Sequence, residues 1–340
     1  MALESEEELY GGGAATVAGV DEAGLGPTLG PLTLGFSVLR APRAGVDLWR
    51  ALAPAVSDDP ARDAASFVVA DSKVVFKRTA RCEKRLEATA LGFLALLDPQ
   101  RRPNTTLQRL LFESPAELAL EPSFATRHAW YRDGARALPH VWTATTLELR
   151  VESLARALRT AQVELLDAGV RTVTESALNH SLEHTHNKSL SHWELSAPLL
   201  RRVWERHASG GVELWVDRHG GRSHYGPLLG RTFPDALVEW LDEAPERSRY
   251  SIRTRDGARR MRIVFSEKAE RFSFAVALAS CLAKYARESA MAAFNAYFSA
   301  HAPALAPTAG YATDARRWLA DAEELLGRLG LERAQFVRAR

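Results

Sequence analysis

Two cysteines in 340 residues, Cys82 and Cys281, are too few for a disulfide framework and fit no zinc spacing, which excludes a stapled secreted scaffold and a zinc-ribbon module. Cys281 falls in an apolar helical run, where a packing role is expected. A large charge excess is also missing: 44 basic residues against 42 acidic ones leave +2, too little to mark a nucleic-acid binder by bulk electrostatics. No apolar run reaches the length of a membrane span, and the acidic start, Glu4 to Glu8, is not a signal peptide. A cytoplasmic protein with no membrane partner is therefore expected. What remains is a globular composition, with enough chain for one large domain or two ordinary ones.

The most informative stretch is Val17 to Leu34. An apolar run, Ala14 to Val20, ends in adjacent carboxylates, Asp21 and Glu22, and is followed by Gly24, Gly26, Pro27 and Gly30. Val17 and Val20 suit a buried strand, while the glycines allow a sharp bend and a close approach to a ligand. Leu32 to Leu39 reads as an adjacent strand. Paired carboxylates at a buried strand end are costly unless a positive group neutralises them. As hard oxygen ligands, Asp21 and Glu22 suit Mg²⁺ or Mn²⁺ better than Zn²⁺. The plainer reading is a turn, since Asp and Gly are ordinary turn residues.

Met1 to Gly13 is expected to be a flexible lead-in. Helices are expected over Arg78–Leu97, Thr146–Asp167 with Gly169 as its stop, Asn187–His207, Phe272–Ala300 and Asp314–Leu329, from apolar residues at helical spacing. Leu147, Val151, Leu154 and Leu158 share one helical face. Asp71-Ser72-Lys73 lies where the first of these helices begins, a place suited to meeting a phosphate. Asp98 to Pro139 reads as irregular, and Gly220 to Glu246 as loop-rich. Val212 to Asp217 is a second strand ending in a carboxylate. Arg249 to Phe265 reads as a hairpin around Asp256-Gly257, with Tyr250, Ile252, Met261 and Ile263 on one side. The other side carries Arg249, Arg253, Arg260 and Arg262, and Arg253 stands opposite Arg260. Such a face is either solvated or binds phosphate.

In order along the chain, Gly19-Val20-Asp21-Glu22-Ala23-Gly24-Leu25-Gly26-Pro27, Asp71-Ser72-Lys73, the strand ending at Asp217, Ala279 to Glu288, and Gly310-Tyr311-Ala312-Thr313 resemble the signatures of type 2 ribonuclease H, ribonuclease HII. The resemblance implies an α/β fold with a ribonuclease H-like mixed five-stranded sheet flanked by helices. It also implies two-metal cleavage, with Mg²⁺ or Mn²⁺, of the RNA strand of RNA/DNA hybrids. Asp21, Glu22 and Asp217 match three of that family's catalytic, metal-binding carboxylates, and the spacing back from Lys284 puts Glu270 where the family has an Asp. Tyr311 matches a tyrosine that packs against the sugar at the RNA to DNA junction, and Lys73 would face a phosphate. Gly24, Leu25 and Gly26 stand where the family has Gly-Arg-Gly, which removes a cation and keeps the glycines that approach the ribose 2′-hydroxyl, the group that separates RNA from DNA. Arg218 follows Asp217 where the family has Gly.

The expected organisation is a ribonuclease H-like domain over residues 14–330, with insertions at about 99–180 and 218–262 and a basic tail over 331–340. The expected partner is RNA/DNA hybrid or ribonucleotide-containing duplex DNA, bound by a monomer. Gly24, Leu25, Gly26, Lys73, Tyr311, Arg253 and Arg260 are the candidate substrate-binding residues. His180, His184 and His186 match no zinc spacing, and a dinucleotide fingerprint is set aside because a strand, not a helix, follows the glycines. Two other readings stay open: a nucleic-acid-binding protein on the same scaffold with altered or lost cleavage, and a nuclease for another structured nucleic acid.

Overall fold

The computed structural model describes residues 9–10, 13–113, 115, 118, 128–132 and 136–339. Most of the lead-in, including the acidic run Glu4 to Glu8, and Pro122 and Arg340 lie outside the described residues. The apolar run at the start of the chain becomes strand β1 (Ala15–Ala23), and the run after the glycines becomes β2 (Leu32–Ala41). They pair antiparallel, with Asp21 opposite Gly35 and Glu22 opposite Leu34. The sheet continues with β3 (Glu164–Val173), β4 (Val212–Asp217), β5 (Leu237–Glu243), β6 (Arg247–Arg253) and β7 (Arg260–Ser266), in the spatial order β3-β2-β1-β4-β7-β6-β5. The β1–β4 and β4–β7 pairs are parallel and the remaining pairs antiparallel. The sheet is therefore mixed, with seven strands where five were expected. Two strands account for the difference: β7 docks beside β4, and β6, its hairpin partner, and β5, from the stretch read as loop-rich, extend the sheet beyond it.

The expected hairpin register is the observed one, with Ile252 opposite Met261, Tyr250 opposite Ile263 and Arg253 opposite Arg260. Helices flank the sheet: α1 (Ala80–Ala95), α2 (Ala144–Thr160), α3 (Glu175–Thr185), α4 (Lys188–His207), α5 (Phe274–His301) and α6 (Ala312–Asp321). Asn187 caps α4 as a side-chain acceptor for the Leu190 amide. Leu147, Val151, Leu154 and Leu158 are all buried on α2. That helix nevertheless ends at Thr160, and Gly169 is mid-strand in β3. A turn at Ala161 and Gln162, the latter at φ 53°, breaks the helix before Glu164. Asp71 caps only a one-turn helix, Ser72–Val75, and Thr79 caps α1, so Asp71-Ser72-Lys73 opens a separate turn.

Helix α5 sets the depth of the site. It crosses β1 and β2 at backbone contact: a Cβ at Gly19 would fall 2.2 Å from the Ala275 carbonyl carbon, and one at Gly35 2.1 Å from the Ala279 oxygen. The hydroxyls of Ser37 and Thr33 donate to the Ala275 and Ala283 carbonyls at 2.8 Å, fastening sheet to helix. One apolar core lies on the α1, α2 and α5 side of the sheet and a second beneath α4. Among the described residues, no helix is long and apolar enough to cross a membrane.

Candidate metal centre

Strand polarity builds the site. Because β1 and β4 run parallel, with Val20 beside Val216, their C-terminal ends lie side by side and bring Asp21 and Glu22 next to Asp217. Side chains alternate across a sheet, so Glu22 leaves on the α4 face and Asp21 and Asp217 on the α5 face, meeting at the C-terminal ends of two central strands. One carboxylate oxygen from each of the three lies within 4.8 Å of the others. Among the described residues this is the only group of three or more His, Cys, Asp or Glu so arranged, so His180, His184 and His186 form none.

These carboxylates are hard to ionise. Burial, then the charges of Glu22 and Asp217, push Asp21 well above the usual carboxylate range, although Ser280 on α5 hydrogen-bonds it. Burial and the Asp217 charge raise Glu22 to about 7, against a smaller pull from Lys73. Burial raises Asp217 too, opposed by hydrogen bonds including that from the Ala269 amide at 3.3 Å. Three oxygen acceptors held this close and short of positive charge have the chemistry of a hard divalent-cation site, so the residues present fit Mg²⁺ or Mn²⁺.

The other candidates fall into four places. Glu270, on the short turn Ala269–Arg271, stands at the margin: burial raises it and it feels the charges of Asp71 and Asp217, but it is not in the group of three. Lys73 is exposed on the one-turn helix and close enough to act on Glu22, Asp217 and Glu270. Gly24 lies at φ 88°, and Gly26 is exposed with open space where a Cβ would be. Leu25 packs on the apolar core beneath α4. Tyr311 is 49% exposed and lines a cavity of about 700 Å³ together with Phe76, Arg78, His140, Tyr285 and Glu288. This cavity contains none of the three carboxylates. Arg253 and Arg260 are not brought to the site. Arg260 starts β7, six residues before Ser266, the neighbour of Asp217, and so lies about 20 Å away at strand rise, and Arg253 ends β6 directly opposite it. There Arg253 pairs with Glu239 at 2.7 Å. Arg249 likewise pairs with Asp242 at 2.7 Å and Arg262 with Glu213 at 3.2 Å.

Several residues at the site were not legible as such. His192 on α4 is buried, with its Nε2 3.7 Å from Glu22 Oε2, and its ring lies 4.0 Å from that of His219. Burial holds His192 near 4 and His219 well below the usual histidine range, so both are neutral behind Glu22 at neutral pH. Arg218, buried just after Asp217, donates to the Ala244 carbonyl at 3.1 Å and to that of Pro245. It ties the strand end to the β5–β6 turn. His219, two residues beyond an acidic strand end, was the one local signal available.

In sequence, neither a protein-family model nor a curated protein matches the chain. In structure it resembles the ribonuclease HII of Archaeoglobus fulgidus solved with PCNA, at 15% identity over 96% of this chain and 94% of that one, TM-score 0.40. It also resembles the ribonuclease H2 of Pyrococcus horikoshii, at 17% identity over 94% and 92%, TM-score 0.38. A third neighbour is Bst-RNase HIII in complex with Mn²⁺, at 13% identity over 96% and 67%, TM-score 0.37. The fold itself is a mixed α/β sheet flanked by helices, and what the site does rests on this chain's own residues.

Proposed function

We propose that the chain is a divalent-metal-dependent endonuclease that cuts the RNA strand of RNA/DNA hybrids or duplex DNA at embedded ribonucleotides. The observation that carries this reading is the meeting of Asp21, Glu22 and Asp217 within 4.8 Å at the C-terminal ends of β1 and β4. Those three, with Glu270 at the margin, would hold Mg²⁺ or Mn²⁺. Ions in such a site supply an activated water and stabilise the charge on the leaving oxygen of a phosphodiester. The chain's own part is positioning: Lys73 offers a cation to a backbone phosphate, Gly26 leaves the backbone open to a ribose, and exposed Tyr311 offers a ring for a sugar or base to pack on.

A second reading, a binding protein on the same scaffold, draws on Leu25 packing inward where the resembled family carries a cation and on Glu270 standing outside the group. The deciding experiment compares end-labelled all-DNA, single-ribonucleotide and full-hybrid duplexes with Mg²⁺ or Mn²⁺, for wild type and Asp217→Asn. Metal-dependent cutting only where a ribonucleotide is present, abolished by the substitution, is expected. Retained binding with no cutting of any duplex would establish the second reading instead.

A further inference from the structure

The basic C-terminal residues, expected to be a tail, pack against the glycine loop that follows Asp21 and Glu22. Phe336 is fully buried and Arg338 only 4% exposed. Val337 forms an antiparallel bridge with Leu29, and the Arg338 amide donates to the Thr28 carbonyl at 3.0 Å. The Arg338 guanidinium donates to the carbonyls of Gly30 at 2.7 Å, Pro27 at 3.4 Å and Gly24. From the other side, Arg287 of α5 donates to the carbonyls of Pro31 at 2.7 Å and Leu29 at 3.4 Å. Five carbonyls of one loop are thus turned inward onto two guanidiniums. Buried carbonyls need such partners, and a planar fork of fixed donors holds several at once.

The loop carries further contacts. The Thr28 and Leu29 amides donate to the Gly310 carbonyl at 2.7 and 3.1 Å, directly before Tyr311. Asn179 of α3 anchors the C-terminal segment, donating to the Ala334 and Val337 carbonyls at 3.1 and 2.9 Å and accepting from the Ala339 amide at 2.7 Å. One connected unit therefore joins the C-terminal segment, the loop that presents Gly24, Leu25 and Gly26, and the turn that presents Tyr311. The carboxylates lie outside it, held by β1 and β4.

We infer that Arg338 is a positioning residue: the C-terminal segment moulds the 24–31 loop and the Tyr311 turn into the shape that receives substrate, without taking part in metal binding. Its catalytic consequence rests on the nuclease reading, whereas its structural part does not. Hydrogen exchange of Arg338→Ala and Arg338→Lys tests the structural part. The Thr28 and Leu29 amides, hydrogen-bonded to the Gly310 carbonyl, should exchange at least about tenfold faster in the alanine variant, with α5 still protected. The lysine variant keeps the charge but loses the fork, and should show the same change in smaller measure. If the alanine variant does not fold, the lysine variant decides. For cleavage of a single-ribonucleotide duplex, KM should rise about tenfold with kcat nearly unchanged, and Mn²⁺ titration should match wild type.

Wild-type exchange of the loop in both variants would overturn the inference. So would protection lost equally from α5, or a fall in kcat at constant KM. Should the wild type cut no duplex, the nuclease reading falls and the exchange result still decides the role of Arg338.

Discussion

Replacing Asp217 with Asn tests the electrostatics of the site without requiring a substrate. Glu22 is raised to about 7 from an ordinary 4.5, by burial first and the Asp217 charge second. A folded state that favours the protonated acid holds more protons than the unfolded chain between pH 4.5 and about 7, so stability falls as pH rises through that window. For Glu22 alone the full shift corresponds to about 3 kcal/mol. Asparagine removes Asp217, itself raised, and lifts part of the load on Glu22 and Asp21, while its side-chain oxygen can still accept from the Ala269 amide. In EDTA the variant should therefore be the more stable protein at pH 8, by about 2 kcal/mol. At about 2.1 cal/mol/K of unfolding entropy per residue, that is about 3 °C in Tm for 340 residues. The gap should narrow toward pH 4, near the ordinary carboxylate pKa values, where little of the penalty for the raised folded-state values is still expressed. Saturating Mn²⁺ should reverse the order, since a ligand at 100 times its Kd adds about 2.7 kcal/mol to the protein that binds it. Melting curves at pH 4, 6 and 8, with EDTA and with Mn²⁺, measure every part of this. A gap in EDTA that does not change with pH, or equal Mn²⁺ shifts in the two proteins, would refute the reasoning.

Glu87 is the opposite case: burial would raise it, but hydrogen bonds from His140 and the amides of His140, Trp142 and Val141 outweigh that and hold it at about 2. Its contribution is present above pH 4.5 and lost as pH falls toward 2, and Glu87→Gln should flatten acid unfolding in that window by about 3 kcal/mol, read by urea titration at pH 3 and 6. Gly19→Ala should destabilise by at least about 2 kcal/mol, because its Cβ would lie 2.2 Å from the backbone of α5, which can only yield by moving off the sheet; denaturant midpoints check it. Tyr311→Ala should weaken duplex binding about tenfold and Tyr311→Phe far less, since on the proposed nuclease reading it is the ring, not the hydroxyl, that a sugar or base would pack on, measured by fluorescence anisotropy.

Local pattern made much of this protein legible. Strand β1 and its acidic end, α4, the buried face of α2 and the hairpin register all follow from periodicity and turn chemistry acting over a few residues. The break after Thr160 and the strand that follows were missed because Glu164 to Val173 continues an apolar pattern that a helix would also show; only pairing with β2 makes it a strand. The arginine ladder shows the same limit at a site. Its register was readable, but its distance from the carboxylates depends on β7 lying parallel to β4 with its first residue at the far end. By itself the sequence determined which residues carry charge, where strands end in carboxylates and where glycine lets the backbone bend, because these are properties of neighbouring residues. Which carboxylates meet, that two neutral histidines stand behind Glu22, and that the last residues of the chain hold the loop after its first strand were decided by tertiary structure alone. Each depends on strand direction and close packing between segments far apart in the chain, which no local spacing encodes.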